Sequence, residues 1–278
     1  MNRSPWSIAA RRFARSPAAM FGLVVAVLLV AFALLGPLFA AWAPDVSDFS
    51  MTRDAFGAPP GPSARHWLGT DAIFRDVASR LASGARVSLL VSLGATAVSS
   101  VVGTSAGLVA GTCAGGRFRV VDAALMRVVD VLLALPFLLF VTAVGAAVGR
   151  TDVGTMVLVL GLTGWTAAAR LVRSKTLEVR EREFVTAARA LGAGHVRVAL
   201  RHVLPNVAGP ALVLATSLVG QMILAEAVLG YLTVGVQPPR ATWGRMLHEA
   251  EPYLGSRLGL VAAPAIAILL SVLAFSRV

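Results

Sequence analysis

Long apolar runs alternate with short polar, mostly basic intervals along this chain. A helix needs about 20 apolar residues to cross the hydrocarbon core of a bilayer. Six runs approach that length, at residues 20–42, 87–111, 123–148, 153–169, 207–232 and 258–275. The pattern predicts an all-α, polytopic membrane protein with six transmembrane helices. It divides the chain into an N-terminal segment (1–19), a first span (20–42), a loop with a short surface helix (43–83) and a five-helix core (84–276) that contains a long polar loop at 170–206. Thr70 is the expected cap of the surface helix, with Asp71 in its first turn and an end near Gly84. The third run contains Arg127, Asp130 and Pro136. Its polar end is therefore expected to face protein, with a kink at the proline.

Composition agrees with this reading. The chain is 57% hydrophobic and 14% charged, against roughly 25% charged in an average soluble domain. The net charge of +11 could indicate a nucleic-acid surface or a positive-inside bias, and position decides between them. Arg3, Arg11, Arg12 and Arg15 precede the first span, Arg117 and Arg119 follow the second, and eight basic residues occupy the loop after the fourth. No aromatic platform accompanies them, which argues against nucleic acid. Six spans with both termini in the cytoplasm put all three basic regions on one side. The arginines of the first outer loop are balanced by aspartates, and the Arg150 turn and the 233–257 loop complete the outer face. The first apolar run is long for a signal sequence and lacks a small-residue cleavage site, so it reads as a retained span.

The 170–206 loop is patterned rather than irregular. An amphipathic helix is expected at 176–191, with Leu177, Phe184, Ala188 and Leu191 on its apolar face and a Glu178–Arg182 pair at i,i+4. Gly192 and Gly194 turn the chain. A second amphipathic run, through Val196, Leu200, Val203 and Leu204, is expected to stop at Pro205. Two readings stand beside each other: a docking element, whose small residues Ala187, Ala188 and Gly192 allow close approach, and an amphipathic surface lying on anionic lipid. In the second span, Gly103, Gly107 and Gly111 recur every four residues as a helix-packing face.

Other chemistry is sparse. The four histidines share no ligand spacing, so no metal site is expected. A Gly-rich phosphate loop ending in Lys-Ser or Lys-Thr is missing, so any ATP hydrolysis belongs to another chain. The single Cys113 excludes an intrachain disulfide and sits among small residues. Glu226, within the fifth span, is a functional candidate by default, set against a plain role as a hydrogen-bonding residue between helices. Arg127 and Asp130, three apart, read as a structural ion pair. An intramembrane enzyme would need convergent nucleophiles or acids that the spans do not offer. A self-contained channel or secondary transporter is separated from a multi-subunit importer by whether an ATPase copurifies.

Ala187-Ala188, Gly192 and Leu204-Pro205 resemble the cytoplasmic loop motif of binding-protein-dependent ABC importer permeases. Arg182-Glu183-Phe184-Val185, His66-Trp67-Leu68-Gly69-Thr70-Asp71, Arg75-Asp76-Val77, Met126-Arg127-Val128-Val129-Asp130, Gly235-Val236-Gln237-Pro238-Pro239 and Trp243-Gly244-Arg245-Met246-Leu247 are similar to the dipeptide/oligopeptide/nickel branch. Phe13-Ala14-Arg15-Ser16-Pro17 resembles its second permease subunit. The resemblance implies a type I importer fold in a multi-pass cell membrane protein and a transport role with peptide as cargo, nickel or another small solute being the alternative. It also implies a homologous second permease, two ATPase subunits carrying the ATP, an external solute-binding protein, and coupling to the ATPases through Glu183, Thr186, Ala187, Ala188, Gly192, Leu204 and Pro205. Several positions depart from the family. Thr186 stands where glutamate is usual, with Glu183 one turn earlier as a substitute. Phe74 and Thr233 stand where glycine is usual. The chain stops at Ser276-Arg277-Val278, where relatives continue in a polar tail, so a truncated tail is expected.

Overall fold

The computed structural model describes residues 13–54, 57–149 and 151–277; Arg3, Arg11, Arg12, Arg150 and Val278 lie outside them. Eleven helices follow in order: α1 (Pro17–Phe39), α2 (Val77–Cys113), α3 (Arg119–Ala134), α4 (Phe137–Val148), α5 (Val153–Thr163), α6 (Thr166–Arg180), α7 (Glu183–Ala190), α8 (His195–Val198), α9 (Leu204–Tyr231), α10 (Trp243–Ala250) and α11 (Leu258–Arg277). A π-helical turn (Ala199–Val203) joins α8 to α9. The only β-pairing among the described residues is two isolated bridges, Ser47 with Arg75 and Thr70 with Asp76.

Among the described residues, four helices are long and apolar enough to span a membrane, and six spans result if two bent pairs each count as one. The third expected span is the first such pair. α3 and α4 meet at 94° across Leu135-Pro136, because a proline has no N–H for the helix ladder and its ring displaces the preceding turn. The bend is much sharper than the kink expected there. α5 and α6 meet at 43°, and α6 carries the helix eleven residues past the expected end of the fourth span at 169.

The expected surface helix at 70–84 does not exist as a separate element. Thr70 is tied into its bridge with Asp76, and the Asp76 carboxylate accepts the Ser79 N–H at 2.7 Å. Asp76 therefore starts α2, which runs unbroken for 37 residues to Cys113.

The chain divides into two compact units, residues 1–93, 148–156 and 219–278 in one and 94–147 and 157–218 in the other. In the first unit, α1 and α11 bury small and branched residues, Ala26, Leu29, Ala33, Ala267, Ile268 and Ala274, in a common core. Trp243 is fully buried beside them. Its indole N–H donates to the Leu81 carbonyl at 3.1 Å, its backbone N–H donates to Ser88 Oγ at 3.2 Å, and its ring covers Gly84. A Cβ on Gly244 would strike the Ala227 carbonyl, so α10 lies directly on the backbone of α9. Arg86 reaches the Ala33 and Leu34 carbonyls, both at 2.7 Å.

In the second unit, glycines bring helix backbones together. A Cβ on Gly103 would lie 2.5 Å from Ala168 Cβ, one on Gly107 2.5 Å from the Ala169 carbonyl, and one on Gly111 2.5 Å from Thr176 Cβ. All three face α6. Ser99 Oγ donates to the Gly161 carbonyl at 2.8 Å, pinning α2 to α5. A second core of valines, Val172, Val179, Val185, Val198, Val203 and Val207, closes around Leu108.

One expected polar contact differs. Asp130 pairs with Arg170 at 2.5 Å rather than with Arg127, because α3 packs on α6 and brings Arg170 within reach. Glu226 is fully buried, yet neither carboxylate oxygen closes a well-formed hydrogen bond, although Ser88 and Thr242 face it.

Candidate functional site

The 170–206 region is built from α6 outward. Arg173 holds Asp122 through two hydrogen bonds of 2.5 and 2.8 Å. Arg180, at the end of α6, donates through Nη1 to the Gly111 carbonyl at 2.9 Å and also to the Ala114 carbonyl. A guanidinium thus satisfies the orphan carbonyls that end α2, where the helix dipole favours a cation. Glu181 and Arg182 then break the helix, so the single helix expected at 176–191 is two pieces. α7 starts afresh at Glu183, which places a carboxylate in its first turn.

α7 ends at a tight turn. Ala193 N–H donates to the Ala188 carbonyl at 3.0 Å and Gly192 N–H to the Arg189 carbonyl at 2.9 Å. Gly192 has φ +83°. This pair of bonds around a left-handed residue is the Schellman arrangement, which favours glycine at that position. The chain re-enters helix at His195. The expected stop at Pro205 does not occur. Proline offers no N–H, but the π-helical turn before it places the Leu204 N–H on the Ala199 carbonyl, and the helix continues into α9.

The expected apolar sets divide between the core and the surface of this loop. Val185, Val198 and Val203 are buried, whereas Leu191 is 89% exposed, Val196 72% and Phe184 42%. Glu183, Thr186 and Ala187 are exposed, Ala188 is half-buried, and Gly192 has open space around it. Leu204 is half-buried and Pro205 exposed. Glu183 to Gly192 thus form one continuous surface, with Leu204 and Pro205 at the foot of the next helix. Thr186 Oγ1 lies 3.5 Å from the Arg182 carbonyl, turned back on its own helix. Sequence reasoning missed Arg180 and the Arg173–Asp122 pair as anchors, since only the packing of α2 and α3 against α6 gives them partners.

The first unit has a polar cluster of its own. Arg75 and Arg80 both donate to Glu249, at 2.8 and 2.9 Å, and Arg75 also holds Asp71 at 2.7 Å. Arg80 is almost wholly buried. Nearby, the His66 ring lies against Trp42, with Nδ1 2.9 Å from Asp76 and Nε2 3.4 Å from Asp48. Hydrogen bonds from Ser50 hold the Asp48 carboxyl below the ordinary aspartate range, with His66 adding to them. Among the described residues, no three His, Cys, Asp or Glu side chains come together as a metal site.

Residues 107–278 match the family model described as binding-protein-dependent transport system inner membrane component. The chain belongs to this family. Residues 4–60 of the permease also match the N-terminal transmembrane domain of oligopeptide transport permease C. It is 34% identical to the dipeptide transport system permease protein DppC of Alkalihalophilus pseudofirmus, over 99% of this chain and 87% of that one. It is 38% identical to the di/tripeptide transport system permease protein DppC of Pseudomonas aeruginosa, covering 95% and 86%. With the oligopeptide transport system permease protein OppC of Bacillus subtilis it shares 35% identity, covering 90% and 79%. The exposed loop surface is thus part of a multi-pass inner-membrane permease of the second permease type.

Proposed function

We propose that this permease passes peptides across the cell membrane, receiving them from an external binding protein, and that α7 with its Gly192 turn docks on an ATPase subunit. The observation that carries the docking reading is the exposed apolar set of Phe184, Leu191 and Val196 on a loop whose other side is locked into a valine core. A mobile lipid-lying helix needs no such anchoring. The loop instead holds its apolar groups out rigidly, as a partner groove requires. The relatives named for peptides support the cargo.

In this reading two permeases form the path and two ATPases drive it. Closure of the ATPase pair on ATP moves α7, and Glu183 takes the place of an acidic contact at Thr186. The basic residues of 170–206 and the N-terminal arginines support a cytoplasmic side for this loop and for the N-terminus. Leu191→Asp tests the docking. It sits in open surface, so the complex should insert and the second permease should still copurify. ATPase copurification and peptide uptake should fall at least tenfold. Wild-type uptake in that variant overturns the docking reading.

A further inference from the structure

A groove of about 700 Å³ opens in the first unit between α1, the start of α2 and the loop after α1. Its volume is in the range of sites that enclose a small organic molecule, about 300–1,000 Å³. The wall is apolar: Leu28, Phe32 and Leu35 line it from α1 and Ala82 from α2. Those three α1 side chains are 63%, 39% and 49% exposed.

The mouth has a different chemistry. Trp42 and Trp67 stand there with Arg65. Trp67 is 74% exposed, and the Trp42 indole N–H donates to the Arg65 carbonyl at 3.2 Å, fixing that corner. Among the described residues no carboxylate lies within ion-pairing distance of the Arg65 guanidinium. The one carboxylate on the wall, Asp76, is engaged by the Ser79 N–H and by His66. The groove therefore presents an apolar trough, an unpaired cation at its rim and two indoles beside it, at the end of a membrane-spanning helix. Tryptophan concentrates at the headgroup level, and an arginine there meets phosphate.

We propose that this groove is a phospholipid site, holding one acyl chain along Leu28, Phe32 and Leu35 and the headgroup phosphate at Arg65. An uncharged occupant would leave Arg65 unmatched, and a soluble anion would leave the trough uncovered. Held there, the lipid seals α1 to the rest of its unit.

The test uses the assembled importer in nanodiscs of palmitoyl-oleoyl phosphatidylglycerol, released into the gas phase for native mass spectrometry. Retained phospholipid is counted per copy of this chain. The wild type should keep one. Arg65→Gln removes the charge at an exposed position and should lower retention about tenfold, the worth of roughly one charge-assisted hydrogen bond. Ala78→Phe fills the trough and should abolish retention. A photo-crosslinking residue at position 28 should label lipid. Equal retention in all three proteins overturns the proposal, as does crosslinking of position 28 to the second permease instead of lipid. Both outcomes are distinct from failure of the peptide-transport reading, which uptake measures separately.

Discussion

The two units are held by different physics. The first relies on polar cross-links: Arg75 and Arg80 converge on Glu249, Trp243 donates to Leu81, and Arg86 caps α1 carbonyls. The second also has an ion pair, Arg173–Asp122, but its closest helix contacts rest on absent side chains: Gly103, Gly107 and Gly111 let α2 touch α6, and a valine core closes the rest. Polar cross-links are directional and fix loops that lack regular structure. Glycine contacts instead fix helix spacing through dispersion, which suits a surface that has to stay rigid while a partner acts on it.

The comparison breaks first at Glu249. Glu249→Ala removes two charge-assisted hydrogen bonds, one of them to the buried Arg80, and leaves Asp71 as the carboxylate next to both arginines, which should cost about 3 kcal/mol; thermal unfolding of the assembled complex measures it. If Glu249→Ala costs nothing, the first unit is not held as described. Next comes Gly107→Leu, expected to cost about 2 kcal/mol by prising α2 from α6. Cysteine crosslinking between these two helices should weaken in that variant. Asp122→Asn should remove about 1.5 kcal/mol by leaving Arg173 with a neutral partner, and it should reduce coupling between ATPase activity and uptake.

A smaller effect runs the other way. Thr233 and Phe74 have φ of +64° and +63°. The left-handed region costs a non-glycine residue about 1–2 kcal/mol, and glycine gives part of that back through unfolded-state entropy. Thr233→Gly should stabilise by about 0.5–1 kcal/mol, with a rise in melting temperature as the measure. Phe74→Gly should gain less, since it also uncovers a half-buried ring. The smallest effect is at Arg170–Asp130, whose side chains are both more than half exposed. Arg170→Gln should change stability by about 0.5 kcal/mol or less.

Acid acts on one loop of the first unit. Asp48 has its folded-state pKa lowered, chiefly by Ser50. Its contribution is present above the ordinary aspartate value and is lost as pH falls through the lowered one. Acid should therefore loosen the 46–51 loop, and proteolysis of that loop against pH would register it.

Much of this was legible in the residues. Hydropathy located the six apolar stretches, since lipid-facing surface cannot be disguised. The resemblance marked Phe74 and Thr233 as glycine positions, which turn out to be where the backbone is left-handed. What failed had a common cause. Pro205 and Thr70 carry local signals whose outcome depends on tertiary surroundings: one is passed by a π turn and the other is held in a bridge, whereas the kink expected at Pro136 is present as a bend of 94°. The apolar set of 176–191 was legible as one helix face, Leu177, Phe184, Ala188 and Leu191, but Val185 was not among it. Val185, an apparently minor position, does the anchoring, while Leu191 stays exposed.

Arg180 gives the 170–206 loop a mechanical character. Its guanidinium clasps the carbonyl end of α2 a few residues before the helix that faces outward. A push on Leu191 therefore meets no slack tether. It acts on a short crank whose pivot is a charge seated on a helix end. Such a pivot resists small displacements, and it can open and reseat without any covalent change, so one stroke leaves the joint ready for the next.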